Sequence, residues 1–168
     1  AKHSNPLTLL PGNSAIRAAI DKLIDNRKRF VVAYFDLDSF KPYNDVYGFA
    51  QGDQIILHIA GLLKSTFSAR LDFVGHVGGD DFLVVMRSAD WRERVVRVIE
   101  RFAAVACRLD ENLHLFLDRR LADVVGQLLW SHGAVEGGFI ALRGGGNDAV
   151  LLDHALWIID LRQPAARG

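Results

Sequence analysis

The chain has 168 residues, half of them apolar, and its 20 basic and 20 acidic side chains cancel. That length suits one domain burying roughly 70% of its unfolded surface, and the balanced charge excludes both a nucleic-acid footprint and a polybasic membrane patch. A single cysteine excludes an internal disulfide; with no apolar run of ~18 residues and no secretion signal, a cytoplasmic segment is expected.

In chain order, Asn13 or Ser14 is placed to cap a helix with Ile16, Ile20, Leu23 and Ile24 on one face. Phe30-Val31-Val32-Ala33-Tyr34-Phe35 is a continuous apolar run, expected as a strand buried on both faces and ending at Asp36. Ser39 to Gly52, with Pro42, Gly48 and Gly52, is expected to hold a short helix between loops. Ile55, Ile56, Ile59, Leu62 and Leu63 recur at helical spacing, with Asp53 as the cap. Leu71 to Val77 and Phe82 to Met86 read as two strands joined by a tight Gly78-Gly79-Asp80-Asp81 turn. A helix carrying Trp91, Val95, Val98, Ile99, Phe102 and Ala106 follows Ser88, and Cys107 near its end reads as a buried free thiol.

Beyond that point the pattern is weaker. Leu113 to Leu117 is strand-like, Leu121 to Trp130 helical, and Gly138 to Leu142 a strand. Gly144 to Asn147 reads as a loop and Asp148 to Leu161 as a last helix. The glycine triplet lacks the Lys-Ser/Thr of a phosphate-binding loop, so a plain connection is expected. Helices and strands mix without repeats or linkers, which predicts one α+β sheet domain spanning residues 1–168. The absence of an initial Met fits a fragment of a larger multidomain protein.

The chemistry is concentrated in two acidic clusters. Asp36 and Asp38 follow the first strand, and Asp80 and Asp81 lie on the hairpin turn. If the two strands are neighbours, both clusters face one sheet margin. Carboxylates brought within ~4–6 Å repel, and a divalent hard cation resolves the repulsion. Mg²⁺ suits a few carboxylates completed by phosphate and water. Such an ion can lower the pKa of an attacking hydroxyl and neutralise phosphoryl charge. His76, on an alternating strand, reads as a packed side chain rather than a metal ligand.

Phe35-Asp36-Leu37-Asp38-Ser39-Phe40-Lys41-Pro42-Tyr43-Asn44-Asp45, followed by Gly48 and Gly52-Asp53, resembles the FDxDxFKxxND…G…GD signature of GGDEF domains. Gly78-Gly79-Asp80-Asp81-Phe82 resembles their namesake loop, Asn5 to Asn13 their DxLTGLPN opening, and Asp153 to Trp157 their closing helix. The resemblance implies a ferredoxin-like, nucleotide-cyclase-like α/β fold: a central, mostly antiparallel sheet flanked by helices. It implies that Asp36, the Leu37 carbonyl, Asp80 and Asp81 hold Mg²⁺ (or Mn²⁺), with Asp80 and Asp81 catalytic. Asn44 and Asp53 would read the guanine edge of GTP, while Phe40, Lys41, Gly78 and Gly79 shape the phosphate pocket. The implied reaction joins two GTP into cyclic di-GMP across a homodimer, each 3′-hydroxyl attacking the partner's α-phosphate.

The chain departs from that pattern at four places. Asp81 replaces the family's Glu and reaches one methylene less far. The phosphate-binding Lys and Arg of the closing helix fall at Asp160 and Pro164, with Arg162 nearby. Ala69 stands at the Arg of the inhibitory Arg-x-x-Asp site, with Asp72 retained and Arg70 one residue off, so loss of feedback is expected. In the opening motif Asn5 replaces Asp, Leu9 replaces Gly, and Gly12 is added. The Leu7 to Asn13 motif and Phe73 to Val77 resemble a subgroup whose GGDEF domains lie downstream of EAL phosphodiesterase and CBS modules. This implies a second reading, a weak or inactive GTP-binding domain that regulates or dimerises a linked EAL phosphodiesterase. A strand ending in Asp-x-Asp also opens phosphatases of the haloacid dehalogenase type. Here Phe40 stands where their Thr or Val belongs, and the second acidic motif arrives too soon for their doubly wound core.

Overall fold

The computed structural model describes residues 4–67, 69–109, 114–116, 136–139 and 156–160. Helix α1 (Asn13–Asp25) leads to strand β1 (Phe30–Asp38), then helices α2 (Phe40–Tyr47) and α3 (Phe49–Thr66). The hairpin β2 (Phe73–Gly78) and β3 (Asp81–Met86) follows, then α4 (Trp91–Leu109) and the short strands β4 (His114–Phe116), β5 (Glu136–Phe139) and β6 (Leu156–Asp160).

The sheet runs β2-β3-β1-β6-β5 with each neighbouring pair antiparallel, and β4 pairs with the end of β1 that β6 leaves open. The β1-helix-β2-β3-helix-β4 path, with β1 central, is the expected ferredoxin-like arrangement. Side-chain alternation divides the core in two. Val31, Ala33, Phe35 and Leu37 join Phe82, Val84 and Met86 under α3 and α4. Phe30, Val32 and Tyr34 join Leu83 and Val85 under Ile16 and Ile20 of α1. Helices on both sides explain why β1 reads as an unbroken apolar run rather than an alternating one.

Several boundaries differ from expectation. β1 continues past Asp36 because β4 supplies hydrogen-bonding partners for Asp36, Leu37 and Asp38. α1 is preceded by Gly12, with no side-chain cap from Asn13 or Ser14. α3 begins at Phe49, so Asp53 lies inside its first turns; the capping position belongs to Gly48, whose φ of +86° separates α2 from α3 without an intervening loop. The last helix is corrected over Leu156–Asp160. These residues form β6, paired with Phe30–Ala33, because the apolar run Leu156 to Ile159 completes the ladder of an otherwise open strand end. The strand at 114–116 falls within the expected 113–117, whereas β5 overlaps the expected 138–142 strand only at Gly138 and Phe139, and 140–142 lie outside the described residues. The expected helix at 121–130, the glycine loop at 144–147 and the Cys107 side chain lie outside the described residues.

Candidate functional site

The β1–β3 register runs from Val31↔Met86 to Phe35↔Phe82. Asp36 and Asp81 each lie one residue beyond that last pair. Phe35 and Phe82 are wholly buried and anchor this end of the ladder. Beyond it, the β2–β3 turn brings Asp80 to the same margin. Carboxylate oxygens of Asp36, Asp80 and Asp81 all lie within 4.8 Å of one another, each residue half-buried. Three like charges at that spacing repel by about 3 kcal/mol per pair at an effective dielectric of about 20. This donor set fits a hard divalent cation, which takes carboxylate oxygens and leaves positions for phosphate and water. Asp38 is exposed and stands outside the cluster; Leu37 buries its side chain in the core between them.

The turn owes its shape to glycine. Gly79 has φ +56° and Asp80 does not share the positive φ, the pattern of a two-residue II′ turn that takes Gly first. Gly78 adopts φ +155° beside a β-bulge between His76 and Gly78, which re-aims the strand end.

The second group of expected residues lies on the α2–α3 elbow. Ser39 enters α2 in the left-handed region, Phe40 packs partly on the core, and Lys41 and Asp53 are exposed. Asn44 is half-buried, and its Oδ1 is buried with no hydrogen-bond partner among the described residues. An orphaned acceptor costs about 1–3 kcal/mol, a penalty that a ligand N–H would remove. Gly52 explains the placement: a Cβ there would fall 1.8 Å from Asn44 Oδ1 and 3.2 Å from Phe40 Cζ. Sequence reading placed Gly52 in a loop before the Asp53 cap; it lies inside α3, where its missing Cβ makes room for Asn44.

Two further regions bear on the site. His76 is buried, as its strand position indicated, and its ring stacks on Phe82 at 4.3 Å. Burial pushes its pKa below the usual histidine value, against smaller raising effects of its bond to Gly79 and of Asp81 and Asp80. Asp72, retained from the inhibitory motif, is turned inward. Its carboxylate accepts from Arg94 at 3.3 Å, the Arg87 backbone N–H at 3.1 Å and Ser88 Oγ at 3.3 Å.

The sequence profile of the family described as "Diguanylate cyclase, GGDEF domain" matches residues 2–114. The chain belongs to the GGDEF family. A bifunctional diguanylate cyclase/cyclic di-GMP phosphodiesterase, MucR of Pseudomonas aeruginosa, is 33% identical over 94 residues, 54% of this chain and 13% of MucR. The diguanylate cyclase DgcN of Escherichia coli is 32% identical over 97 residues, covering 56% of this chain and 24% of DgcN. Among solved structures, the P. aeruginosa diguanylate cyclase SiaD, in complex with its activator SiaC, superposes with a TM-score of 0.60 at 25% identity. That match covers 69% of this chain and 48% of SiaD. The chain thus spans only a minor part of these curated relatives. Domains of this family belong to cyclic di-GMP signalling and in general use a divalent metal, consistent with the acidic margin. No described helix is long and apolar enough to cross a membrane.

Proposed function

We propose that this GGDEF domain binds GTP with Mg²⁺ (or Mn²⁺) and acts as a diguanylate cyclase, joining two GTP into cyclic di-GMP between two facing copies with release of two pyrophosphates. The observation that carries the reading is the convergence of Asp36, Asp80 and Asp81 within 4.8 Å on one sheet margin. The Leu37 carbonyl completes the protein's share of the ligand set. A divalent cation held by these residues would neutralise charge at the phosphoryl group and lower the pKa of the attacking 3′-hydroxyl. Asp80 and Asp81 orient the α-phosphate, and the glycine turn lets backbone approach it. Phe40 and Lys41 bound the phosphate pocket. Asn44 offers its unpartnered Oδ1 to the guanine amino group, and Asp53, exposed on the next helix, accepts from the N1/N2 edge.

A second reading is a regulatory domain that binds GTP but turns it over weakly, controlling a linked EAL phosphodiesterase. One observation favours it. Residues 156–160 pair as a strand with Phe30–Ala33, whereas the family's closing helix would present phosphate-binding cations from this part of the chain. The shorter Asp81 carboxylate points the same way.

Incubation with GTP and Mg²⁺, followed by chromatography, separates the two. Cyclic di-GMP that disappears in Asp80→Ala supports the cyclase. GTP binding by calorimetry without product supports the regulatory domain. If wild type neither binds nor converts GTP, both fail. Preference for GTP over ATP that is lost in Asn44→Ala or Asp53→Ala tests the guanine assignment separately.

A further inference from the structure

The hairpin turn that carries Asp80 is held by His76 of β2, which is tied in turn to the N-terminal loop. His76 Nε2 lies 2.9 Å from the Gly79 carbonyl oxygen, which can only accept, so Nε2 carries the proton. In the neutral ring Nδ1 is then the acceptor, and the Thr8 hydroxyl donates to it at 2.9 Å across 68 positions of chain. Thr8 belongs to a compact N-terminal loop. Asn5 Oδ1 accepts from the Leu7 and Thr8 backbone N–H groups, Asn5 N–H donates to the Leu10 carbonyl, and Lys64 Nζ donates to the Thr8 carbonyl. The His76 backbone N–H donates to the Pro11 carbonyl at 2.9 Å, a second tie between loop and hairpin.

We infer that His76 is a positioning residue, fixing the Gly79 peptide so that Asp80 and Asp81 face Asp36 only while the Thr8 loop is seated. The Gly79 carbonyl and the Asp80 N–H share one rigid plane, so anchoring the oxygen sets the direction in which the chain enters Asp80. Gly79 has no side chain to restrain that plane, and glycine explores more backbone conformations than any other residue. The anchor therefore comes from the ring, which is fixed by its stack on Phe82 and by Thr8. The inference rests on the proposed metal and nucleotide reading only for its effect on ligand affinity. The link from loop to turn is testable without ligand.

Two variants separate positioning from mere support of the fold. Thr8→Val removes the hydroxyl and keeps the shape; His76→Phe keeps a stacking ring and removes both bonds. In the metal-free protein, Thr8→Val is expected to shift the amide resonances of Asp80 and Asp81 and to speed hydrogen exchange in the turn. Affinity for Mn²⁺ with a non-hydrolysable GTP analogue should fall roughly tenfold, the lower end for loss of a residue supporting metal ligands. His76→Phe should lose as much, and the double variant no more, because both act through one chain of bonds. Unchanged turn amides in Thr8→Val, or losses that add, would overturn the inference. If wild type binds no Mn²⁺ and nucleotide, the functional reading falls while the amide comparison still decides this one. If His76→Phe does not fold, Thr8→Val decides alone.

Discussion

Asp72 and the Asp36/Asp80/Asp81 margin place carboxylates in one small sheet in two different settings. Asp72 has 0% side-chain exposure and takes a counter-charge from Arg94, with a backbone N–H and a hydroxyl also donating to it. At the margin three half-buried groups of one sign converge. Carboxylates whose compensation is built in serve the fold. Carboxylates gathered together repel one another, and a bound cation would relieve that repulsion. Resemblance alone gave Asp72 a place in an inhibitory motif; its surroundings make it structural.

The most direct way to break this contrast is Asp80→Ala. Metal-dependent nucleotide binding is expected to be abolished, while the metal-free protein melts at the same temperature or higher, since one of three like charges is gone. Calorimetry and thermal melts in chelator check both halves. A metal-free protein destabilised by the change would place Asp80 beside Asp72 as a structural carboxylate.

The reverse experiment is Asp72→Ala, which leaves the Arg94 guanidinium without its buried partner. Breaking such a pair from one side costs about 3–5 kcal/mol. Arg94 keeps 21% of its side chain exposed and bonds also to Asp90, so a loss of about 3 kcal/mol is expected from denaturant midpoints. The folded fraction should bind metal and nucleotide as wild type does. Reduced affinity without reduced stability would show that the two carboxylate sites are not separate.

How much of this contrast was readable from sequence depends on its range. The margin was legible because it combines local signals: an apolar run stopped by Asp36, a glycine turn bearing Asp80 and Asp81, and strands short enough to be neighbours. Burial of both faces of β1 followed from Phe30 to Phe35 alone. The inward turn of Asp72 was not legible, because Arg94 lies 22 residues away on a helix whose rotation no local pattern fixes. Nor was Gly52 as the space for Asn44. The strand at Leu156–Asp160 was misread as helix because a short apolar run carries no period that distinguishes the two, and the open end of β1 decided it.

His76 stands between the two regimes, buried yet beside the acidic margin, and pH reveals which influence prevails. Burial lowers its pKa in the folded state, so the unfolded chain takes up a proton first as pH falls. Its contribution to stability is present above the ordinary histidine value near 6.5, and is lost as pH drops from there through the lowered native value. Denaturant midpoints measured in chelator between neutral and mildly acid pH should decline in wild type and decline less in His76→Phe. Equal slopes would mean that Asp80 and Asp81 offset the burial of the ring.

The smallest expected effect lies in the loop that seats Thr8. Leu9 is held at φ +58° by the bond from its N–H to the Asn5 carbonyl, and its side chain is 73% exposed. A left-handed conformation costs a residue with a Cβ roughly 1–2 kcal/mol. The loop accepts that strain because Leu10 on one side is buried and Thr8 on the other reaches His76. Leu9→Gly removes the strain, while glycine's greater freedom in the unfolded chain takes back about 0.5–1 kcal/mol. The net gain expected is about 0.5 kcal/mol, a rise of one or two degrees in melting temperature for a domain of this size. Metal and nucleotide affinity should not change, since Thr8 keeps its seat. A fall in affinity without a fall in stability would mean that the strain at Leu9 presses the Thr8 hydroxyl toward His76, making the loop's tension part of how the acidic turn is aimed.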